Sequence, residues 1–311
     1  MQAQAVVFQN PQHLLMQALE LPEPGAGEVE VEVEYSGIST GTERLLWDGT
    51  MPSFPGMGYP LVPGYESVGR VVRVGPQTTL KTGARIFVPG AQCFQGVRNL
   101  FGGSASRLVV QEGRTVPVQE SLGERGVLMA LAATAQHALA DSTPPDLIIG
   151  HGVMGRLLAR LTVAAGHPAP TVWELNAARQ AGAEGYLVIN PDDDPRRDYR
   201  AIYDVSGDSA ILDRAIARQA TGGEVVLAGF YKQSLSFAFA PAFMRETRIR
   251  VAAQWKREDL LVVADLAHGG KLSLDGLITH TEAPANAANA YRVAFGDSLC
   301  LKMILDWKHA A

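Results

Sequence analysis

The residues best suited to chemistry form a glycine-rich turn near the middle of the chain. The segment DLIIGHGVMG (146–155) places the pattern G-x-G-x-x-G after a short apolar strand and before an apolar-faced helix. Gly150 permits a tight turn, Gly152 lets the backbone approach a pyrophosphate, and Gly155 lets the helix pack closely on the strand. Free N–H groups and the helix dipole then attract phosphate. The predicted dinucleotide site comprises Gly150, His151, Gly152, Val153, Met154 and Gly155. A tight turn that binds no ligand is the alternative.

A carboxylate follows this turn at the distance that ribose recognition requires. Glu174 closes the next predicted strand, 19 residues after Gly155. Such a carboxylate accepts hydrogen bonds from the ribose hydroxyls and repels a 2′-phosphate, which favours NAD over NADP. A solvated loop carboxylate is the alternative, and Arg179 nearby would weaken the preference. Two later strands end in YDVSG and LAGFY, at the sheet edge where ligands bind. The cofactor contacts expected there are Ser206, Gly229 and Phe230.

Length and composition set the class of protein. The chain has 311 residues, enough for two domains, with 47% apolar and 19% charged residues. A net charge of −5 gives no electrostatic reason to expect nucleic acid as a partner. The most apolar window, 126–140, is too short for a membrane span of roughly 20 residues. The start of the chain lacks the features of a signal peptide. Cys93 and Cys300 match no metal or redox spacing, so we expect a soluble cytoplasmic protein.

The order of predicted elements changes near residue 122. Before that point, short Val-rich runs bounded by Gly and Pro predict β-strands at 4–8, 28–35, 67–74 and 85–88. After it, strands alternate with helices, and six such strands predict a doubly wound parallel sheet. The helices predicted in this half are 155–165, 177–182, 210–220, 259–268 and 287–295. A final apolar strand at 300–307 closes the chain.

Several segments together resemble the medium-chain dehydrogenase/reductase superfamily over almost the full length. They are SGISTGTE (36–43), GYESVGRVVRVG (64–75), LAATAQHAL (131–139), GHGVMG and the closing DGLITH and LKMILDW. The resemblance implies a GroES-like barrel domain at 1–121 and a Rossmann NAD-binding domain at 122–268. It implies that 269–311 returns to the barrel, and that the active site lies in the cleft between the two domains.

The chain departs from the zinc-dependent members of that superfamily at the metal. The positions that correspond to their three ligands are Ser39, Tyr65 and Ala130. Catalytic zinc requires three ligands drawn from Cys, His and carboxylate, so we predict no zinc. Without zinc, a relay of side chains must remove the proton of the alcohol substrate's hydroxyl group. The catalytic candidates are Tyr65, Ser39, Thr42, Glu66 and His137. Three roles stay open for Tyr65: proton relay, orientation of the substrate, or filling of the vacant metal position. Glu66 and His137 have structural alternatives.

A narrower resemblance concerns the substrate. The segments 37–69, 87–109 and 235–246 are similar to dehydrogenases of bacteriochlorophyll biosynthesis. This resemblance implies oxidation, by NAD, of a 1-hydroxyethyl group on a tetrapyrrole ring to acetyl. Two irregular segments carry aromatic and thioether side chains suited to a large flat ring. The predicted ring contacts are Trp47, Phe54, Met57, Tyr59, Phe94 and Phe101. The alternative for each is an anchor that packs its loop on the barrel.

Two rival functions stay open at this stage. One is a zinc-free quinone or enone reductase that uses NADPH, and Glu174 disfavours it. The other is a nucleotide-binding protein without catalysis, and the retained polar residues around Tyr65 disfavour it. The strand TRIRVAAQW (247–255) ends the predicted parallel sheet, and an exposed edge invites pairing with its copy. We therefore predict a homodimer through this edge.

Overall fold

The computed structural model describes residues 1–52 and 55–308. The chain divides into two compact units, residues 1–130 with 274–311 and residues 131–273. The sequence placed the divisions at 121 and 268. Each helix within the described ranges falls short of the length and apolar character that a membrane span needs.

Seventeen strands and seven α-helices form within the described residues. The strands are β1 (Gln2–Asn10), β2 (His13–Glu20), β3 (Glu28–Ile38), β4 (Leu61–Val62), β5 (Ser67–Val74), β6 (Arg85–Val88), β7 (Arg98–Asn99), β8 (Arg107–Gln111), β9 (Val116–Pro117), β10 (Leu147–Ile149), β11 (Thr171–Trp173), β12 (Leu187–Ile189), β13 (Tyr199–Asp204), β14 (Gln219–Leu227), β15 (Arg248–Val251), β16 (His280–Glu282) and β17 (Met303–Asp306). The α-helices are α1 (Thr42–Asp48), α2 (Met129–Leu139), α3 (Val153–Ala164), α4 (Ile211–Arg218), α5 (Phe239–Met244), α6 (Arg257–His268) and α7 (Ala287–Gly296).

The first unit is built from two sheets. The larger has the order β16-β17-β3-β5-β6-β9, with β8 also paired to β3, and the smaller has the order β2-β1-β4-β7. Strand β17, near the end of the chain, pairs antiparallel with β3, so the closing segment completes this unit. Alternating apolar residues of β1 and β3 face one shared core. This is the GroES-like fold that the sequence predicted.

The second unit contains a parallel sheet of six strands in the order β12-β11-β10-β13-β14-β15. Every neighbouring pair in it is parallel. The short apolar strand β10 lies in the centre and is buried, which is why its sequence does not alternate. The strand order reverses between β10 and β13, and this confirms the doubly wound fold.

Some elements differ from the prediction. The helix predicted at 177–182 is wrong: only a single 3-10 turn, Ala177–Arg179, forms between β11 and β12. Gly182 and Gly185 both adopt positive φ, which ends any helix. The sequence also missed β2, which pairs with β1 in a hairpin, and the short helix α1.

Candidate active site

A polar cluster lies in the first unit, where β3 leads into α1. The Tyr65 hydroxyl donates a hydrogen bond of 2.6 Å to the Ser39 hydroxyl. Ser39 is buried, and its backbone N–H donates to Glu43 Oε1 at 3.2 Å. The ring of Phe101 packs edge-on against Tyr65, with 5.5 Å between ring centroids. Three residues that lie far apart in sequence therefore meet around one hydroxyl pair.

Tyr65 keeps its proton at neutral pH. Burial raises the pKa of the Tyr65 phenol, and the charge of Glu66 raises it further, while hydrogen bonds with Ser39 and Thr42 oppose the shift. A phenol in this state is a hydrogen-bond donor and acceptor rather than a base. Because its proton already points to Ser39, its lone pairs are directed elsewhere.

Glu43 is fully buried below this pair. One of its oxygens accepts from Ser39, and the other accepts from the Tyr291 hydroxyl at 2.9 Å. Burial raises the pKa of Glu43 to about 8, and the neighbouring charge of Glu66 adds to the shift. The group is therefore a neutral carboxylic acid over most of the physiological range.

Glu66 forms a buried ion pair that the sequence analysis did not find. Lys302 Nζ lies 2.6 Å from Glu66 Oε2 and donates a second hydrogen bond to the Ile38 carbonyl at 3.2 Å. Both side chains are at most 1% exposed. Burial raises the pKa of Glu66, and the Lys302 charge opposes that rise. Glu66 Oε1 has no hydrogen-bond partner among the described residues.

The donor set of this cluster does not fit a catalytic zinc. Ser39, Tyr65 and Ala130 supply no thiolate, imidazole or carboxylate, and the carboxylate of Glu66 is already held by the Lys302 ammonium. Across residues 1–52 and 55–308, no group of three His, Cys, Asp or Glu side chains is placed to hold a metal ion.

The glycine-rich turn lies in the second unit between β10 and α3. Gly150 has φ of 104°, and its N–H donates to the Trp173 carbonyl at 2.9 Å. A Cβ on Gly155 would lie 1.8 Å from the Gly150 carbonyl oxygen, so only glycine fits there. Gly152 caps α3, and Val153 and Met154 form its first turn. A turn of this form at a helix N-terminus can accept a phosphate group.

Glu174 follows β11 beside this turn. Its carboxylate accepts hydrogen bonds from the backbone N–H groups of His151, at 3.2 Å, and Asn176, at 2.8 Å. Two backbone N–H groups therefore hold the Glu174 carboxylate beside the glycine-rich turn, and the residue is partly buried. This is the geometry in which a carboxylate meets ribose hydroxyls.

His151 supports the loop and does not offer its ring to a phosphate, contrary to the expectation from sequence. Its Nδ1 lies 2.7 Å from the Arg179 carbonyl and its Nε2 lies 2.8 Å from the Tyr186 hydroxyl. The residue is fully buried, and burial lowers the pKa of its imidazole to about 4. A neutral ring with both nitrogens paired is a structural bridge.

The remaining residues predicted at the cofactor follow β13 and β14. The Ser206 N–H donates to Asp204 Oδ1 at 3.1 Å, and the Cα of Ser206 lies close to Gly150. Gly229 and the exposed Phe230 follow β14. These positions are at the carboxyl ends of neighbouring strands, where doubly wound sheets bind ligands.

His137 has a partner within its own unit. Its Nδ1 lies 2.8 Å from Asp259 Oδ2, and the same oxygen accepts from the Lys256 N–H at the start of α6. His137 therefore ties α2 to the cap of α6 through a carboxylate and not through a backbone carbonyl, and its catalytic role stays a prediction.

The aromatic residues predicted at the substrate divide into two groups. Trp47 packs against Phe8, with ring centroids 5.4 Å apart, and Phe94 is a buried core residue only 4% exposed, so both anchor the fold. The Tyr59 hydroxyl donates to the Leu46 carbonyl. Met57 and Phe101 are partly buried at the edge of the core, and the ring of Phe101 packs against Tyr65. Phe54 lies outside the described residues.

Comparison with known proteins places the chain in a family. The family described as Alcohol dehydrogenase GroES-like domain matches residues 25–120. A protein of Rhodobacter capsulatus is 55% identical over 313 residues and one of Cereibacter sphaeroides is 52% identical over 318, with full coverage of both chains in each case. The chain therefore belongs to the medium-chain dehydrogenase/reductase superfamily, a class of oxidoreductases.

Within that superfamily, the chain is similar along its whole length to two proteins of one name. Both are called 2-desacetyl-2-hydroxyethyl bacteriochlorophyllide A dehydrogenase. Among solved structures, an alcohol dehydrogenase from Escherichia coli in complex with NADH gives a TM-score of 0.83 at 21% identity and covers 98% of this chain and 99% of its own. That likeness shows the fold.

Proposed function

We propose that this protein oxidises the C3 1-hydroxyethyl group of a chlorophyllide-type tetrapyrrole to acetyl, with NAD as oxidant and without catalytic zinc. The names of the two full-length relatives support the substrate and the direction of the reaction. The observation that supports zinc-free chemistry is the hydrogen bond from Tyr65 to Ser39. These two residues stand at positions that correspond to two metal ligands of the zinc-dependent members.

The proposed reaction balances as one hydride and one proton. The glycine-rich turn and Glu174 would hold NAD, which would supply the hydride acceptor, with NADH as the reduced product. The substrate hydroxyl donates to a lone pair of Tyr65 and transfers its proton there, while the phenolic proton moves to Ser39 and Ser39 releases its own hydroxyl proton to water. Thr42, which also hydrogen-bonds the Tyr65 hydroxyl, orients the phenol for this transfer. The products are the acetyl ketone, NADH and a proton in solution. Phe101, beside Tyr65, presents a flat apolar face to the substrate ring.

The choice of NAD over NADP rests on Glu174. Its carboxylate stands beside the glycine-rich turn, where a 2′-phosphate would bring a second negative charge. Arg179, on the same loop, would weaken this preference if its guanidinium met the 2′-phosphate.

We propose that the protein acts as a cytoplasmic homodimer. Strand β15 is the edge of the parallel sheet, and Val251 on it is 74% exposed. The preceding helix α5 exposes Phe239, Phe243 and Met244. An open edge beside exposed apolar side chains is suited to pairing with a second copy. Light scattering is expected to give twice the chain mass of 33.3 kDa, and a monomeric mass would refute the dimer.

One assay tests the proposed reaction directly. The purified protein is incubated with NAD and a 3-(1-hydroxyethyl) chlorin, and both NADH absorbance and the shifted visible band of the acetyl product are followed. Equal yields of the two products are expected. Turnover of an enone with NADPH, together with no turnover of the chlorin with NAD, would favour the quinone or enone reductase. NADH binding without any turnover would favour a protein that binds nucleotide only.

A further inference from the structure

The crossover between β11 and β12 contains no α-helix, although parallel strands are usually joined by one. Residues 174–186 instead form an irregular loop with the single turn Ala177–Arg179. This loop begins with Glu174, the residue proposed to select the cofactor. An irregular loop needs hydrogen bonds from elsewhere to fix its backbone.

Arg156, in the first turns of α3, supplies those hydrogen bonds. Its Nε donates to the His151 carbonyl at 3.1 Å. Its Nη1 donates to the Gly182 carbonyl at 3.0 Å. Its Nη2 donates to the carbonyls of Arg179, at 3.1 Å, and Ala181, at 2.7 Å. One buried guanidinium, 5% exposed, thus joins the glycine-rich turn to the loop.

The loop also reaches the same turn through His151. The Arg179 carbonyl accepts from Arg156 and faces His151 Nδ1, while the His151 N–H donates to Glu174. Arg156 therefore holds the backbone on both sides of the Glu174 carboxylate. The guanidinium is buried, so it bonds the two segments from inside the unit and not from the solvent side.

We infer that Arg156 is a positioning residue for the cofactor: it sets the distance between the phosphate-binding turn and the ribose-binding Glu174. The inference rests on the proposed use of NAD. Arg156 acts through the backbone that it bonds and not by touching the cofactor. Its planar fork of donors reaches four carbonyls at once, which the compact ammonium of lysine cannot do.

Gly182 shows how closely the loop fits Arg156. A Cβ at Gly182 would lie 2.4 Å from Arg156 Nη1, whereas a Cβ at Gly185 would lie 3.7 Å from its nearest neighbour, on Val163. Both glycines have similar positive φ, 83° and 79°. Alanine at either position therefore carries the same backbone strain, but only alanine at 182 displaces the guanidinium.

The test compares two buried arginines by substitution. Arg218 resembles Arg156: it is 9% exposed, and it bonds the carbonyls of Asp194, Arg196 and Pro191 in another part of the same unit. Arg156→Lys and Arg218→Lys are expected to lower the melting temperature to a similar degree. Only Arg156→Lys is expected to raise the Kd for NADH, by about tenfold or more, as measured by titration calorimetry.

Steady-state kinetics add a second readout. Arg156→Lys is expected to raise KM for NAD with little change in kcat, because it weakens binding that the ground state and the transition state share. It is also expected to reduce the preference for NAD over NADP. Gly182→Ala is expected to weaken NADH binding more than Gly185→Ala, and it serves if Arg156→Lys does not fold.

The outcomes separate two failures. If Arg156→Lys binds NADH within about twofold of the wild type, or if Arg218→Lys weakens binding equally, Arg156 only stabilises the fold and the inference is overturned. If the wild-type protein itself binds no NADH, the proposed function fails instead.

Discussion

Lys302 Nζ lies 2.6 Å from Glu66 Oε2, and this ion pair joins two residues that are 236 positions apart. Both side chains are buried, so each charge depends on the other for its solvation. Lys302 stands just before β17, the strand that closes the first unit against β3. The pair therefore links the returning end of the chain to the backbone of Ile38, directly before Ser39.

Removal of Lys302 is expected to destabilise the protein strongly. Lys302→Met leaves the Glu66 carboxylate buried without its cation, and the free energy of unfolding should fall by about 3 to 5 kcal/mol. Urea denaturation measures this change in the free energy of unfolding. The double variant Lys302→Met with Glu66→Gln removes both charges and should recover most of the loss. A loss of similar size in the double variant would show that packing, and not charge, is at stake.

Substitution of Glu43 is expected to change the pH dependence of stability. Burial and the Glu66 charge raise the pKa of Glu43 from 4.5 to about 8, with Lys302 and Tyr291 as the other groups that face it. The folded protein thus keeps a proton that the unfolded chain has lost. Stability from this group is present below about pH 4.5 and is lost as the pH rises towards 8.

Glu43→Gln should therefore flatten the fall in stability between about pH 5 and pH 8, by an amount on the order of a few kcal/mol. Glutamine retains an oxygen for the Ser39 N–H, and its amide N–H can donate to the Tyr291 hydroxyl oxygen in place of accepting from it. Denaturation at several pH values measures the slope. A slope equal to that of the wild type would mean that Glu43 has an ordinary pKa in the folded protein.

Tyr65→Phe tests the proton relay. The substitution keeps the ring contact with Phe101 and removes only the hydroxyl that bonds Ser39. Turnover should fall by at least about tenfold, since a positioned proton donor contributes that much or more. Tyr203→Phe is the matched control, because its hydroxyl bonds the Thr143 carbonyl in the other unit. An unchanged kcat in Tyr65→Phe removes this residue from the mechanism.

Metal analysis tests the absence of zinc chemistry. Purified protein should contain well under one zinc per chain, and chelators should leave its rate unchanged, because Ser39, Tyr65 and Ala130 are poor ligands. Stoichiometric zinc, lost together with activity on chelation, would contradict this expectation.

The sequence predicted the nucleotide unit well for a physical reason. Its strands are short apolar runs, and the glycine pattern fixes a local turn, so both signals lie within a few residues. The helix predicted at 177–182 was wrong because Ala177–Arg179 favours a helix locally, while Arg156 stabilises an irregular backbone instead. The contacts of the His151 ring with the Arg179 carbonyl and the Tyr186 hydroxyl likewise cannot be predicted from a local sequence pattern.

Lys302 was missed although its setting carried a signal. A single lysine within the apolar run CLKMILDW is costly to bury unless a carboxylate meets it. The sequence offers many carboxylates, and only the antiparallel register of β17 on β3 shows that Glu66 is the partner. Tyr65 and Ser39 were predicted together, since a resemblance to zinc enzymes placed both at one site.

Glu174→Gln tests the preference for NAD. The amide oxygen of glutamine can accept from one of the two backbone N–H groups, His151 or Asn176, so one of the two contacts is kept while the negative charge is lost. Without that charge a 2′-phosphate is no longer repelled, and the ratio of kcat/KM for NAD to that for NADP should fall by about tenfold or more. Glu184→Gln is the control, because Glu184 lies on the same loop and pairs with Arg160. A ratio that does not change in Glu174→Gln, or that falls equally in both variants, would show that another part of the loop selects the cofactor.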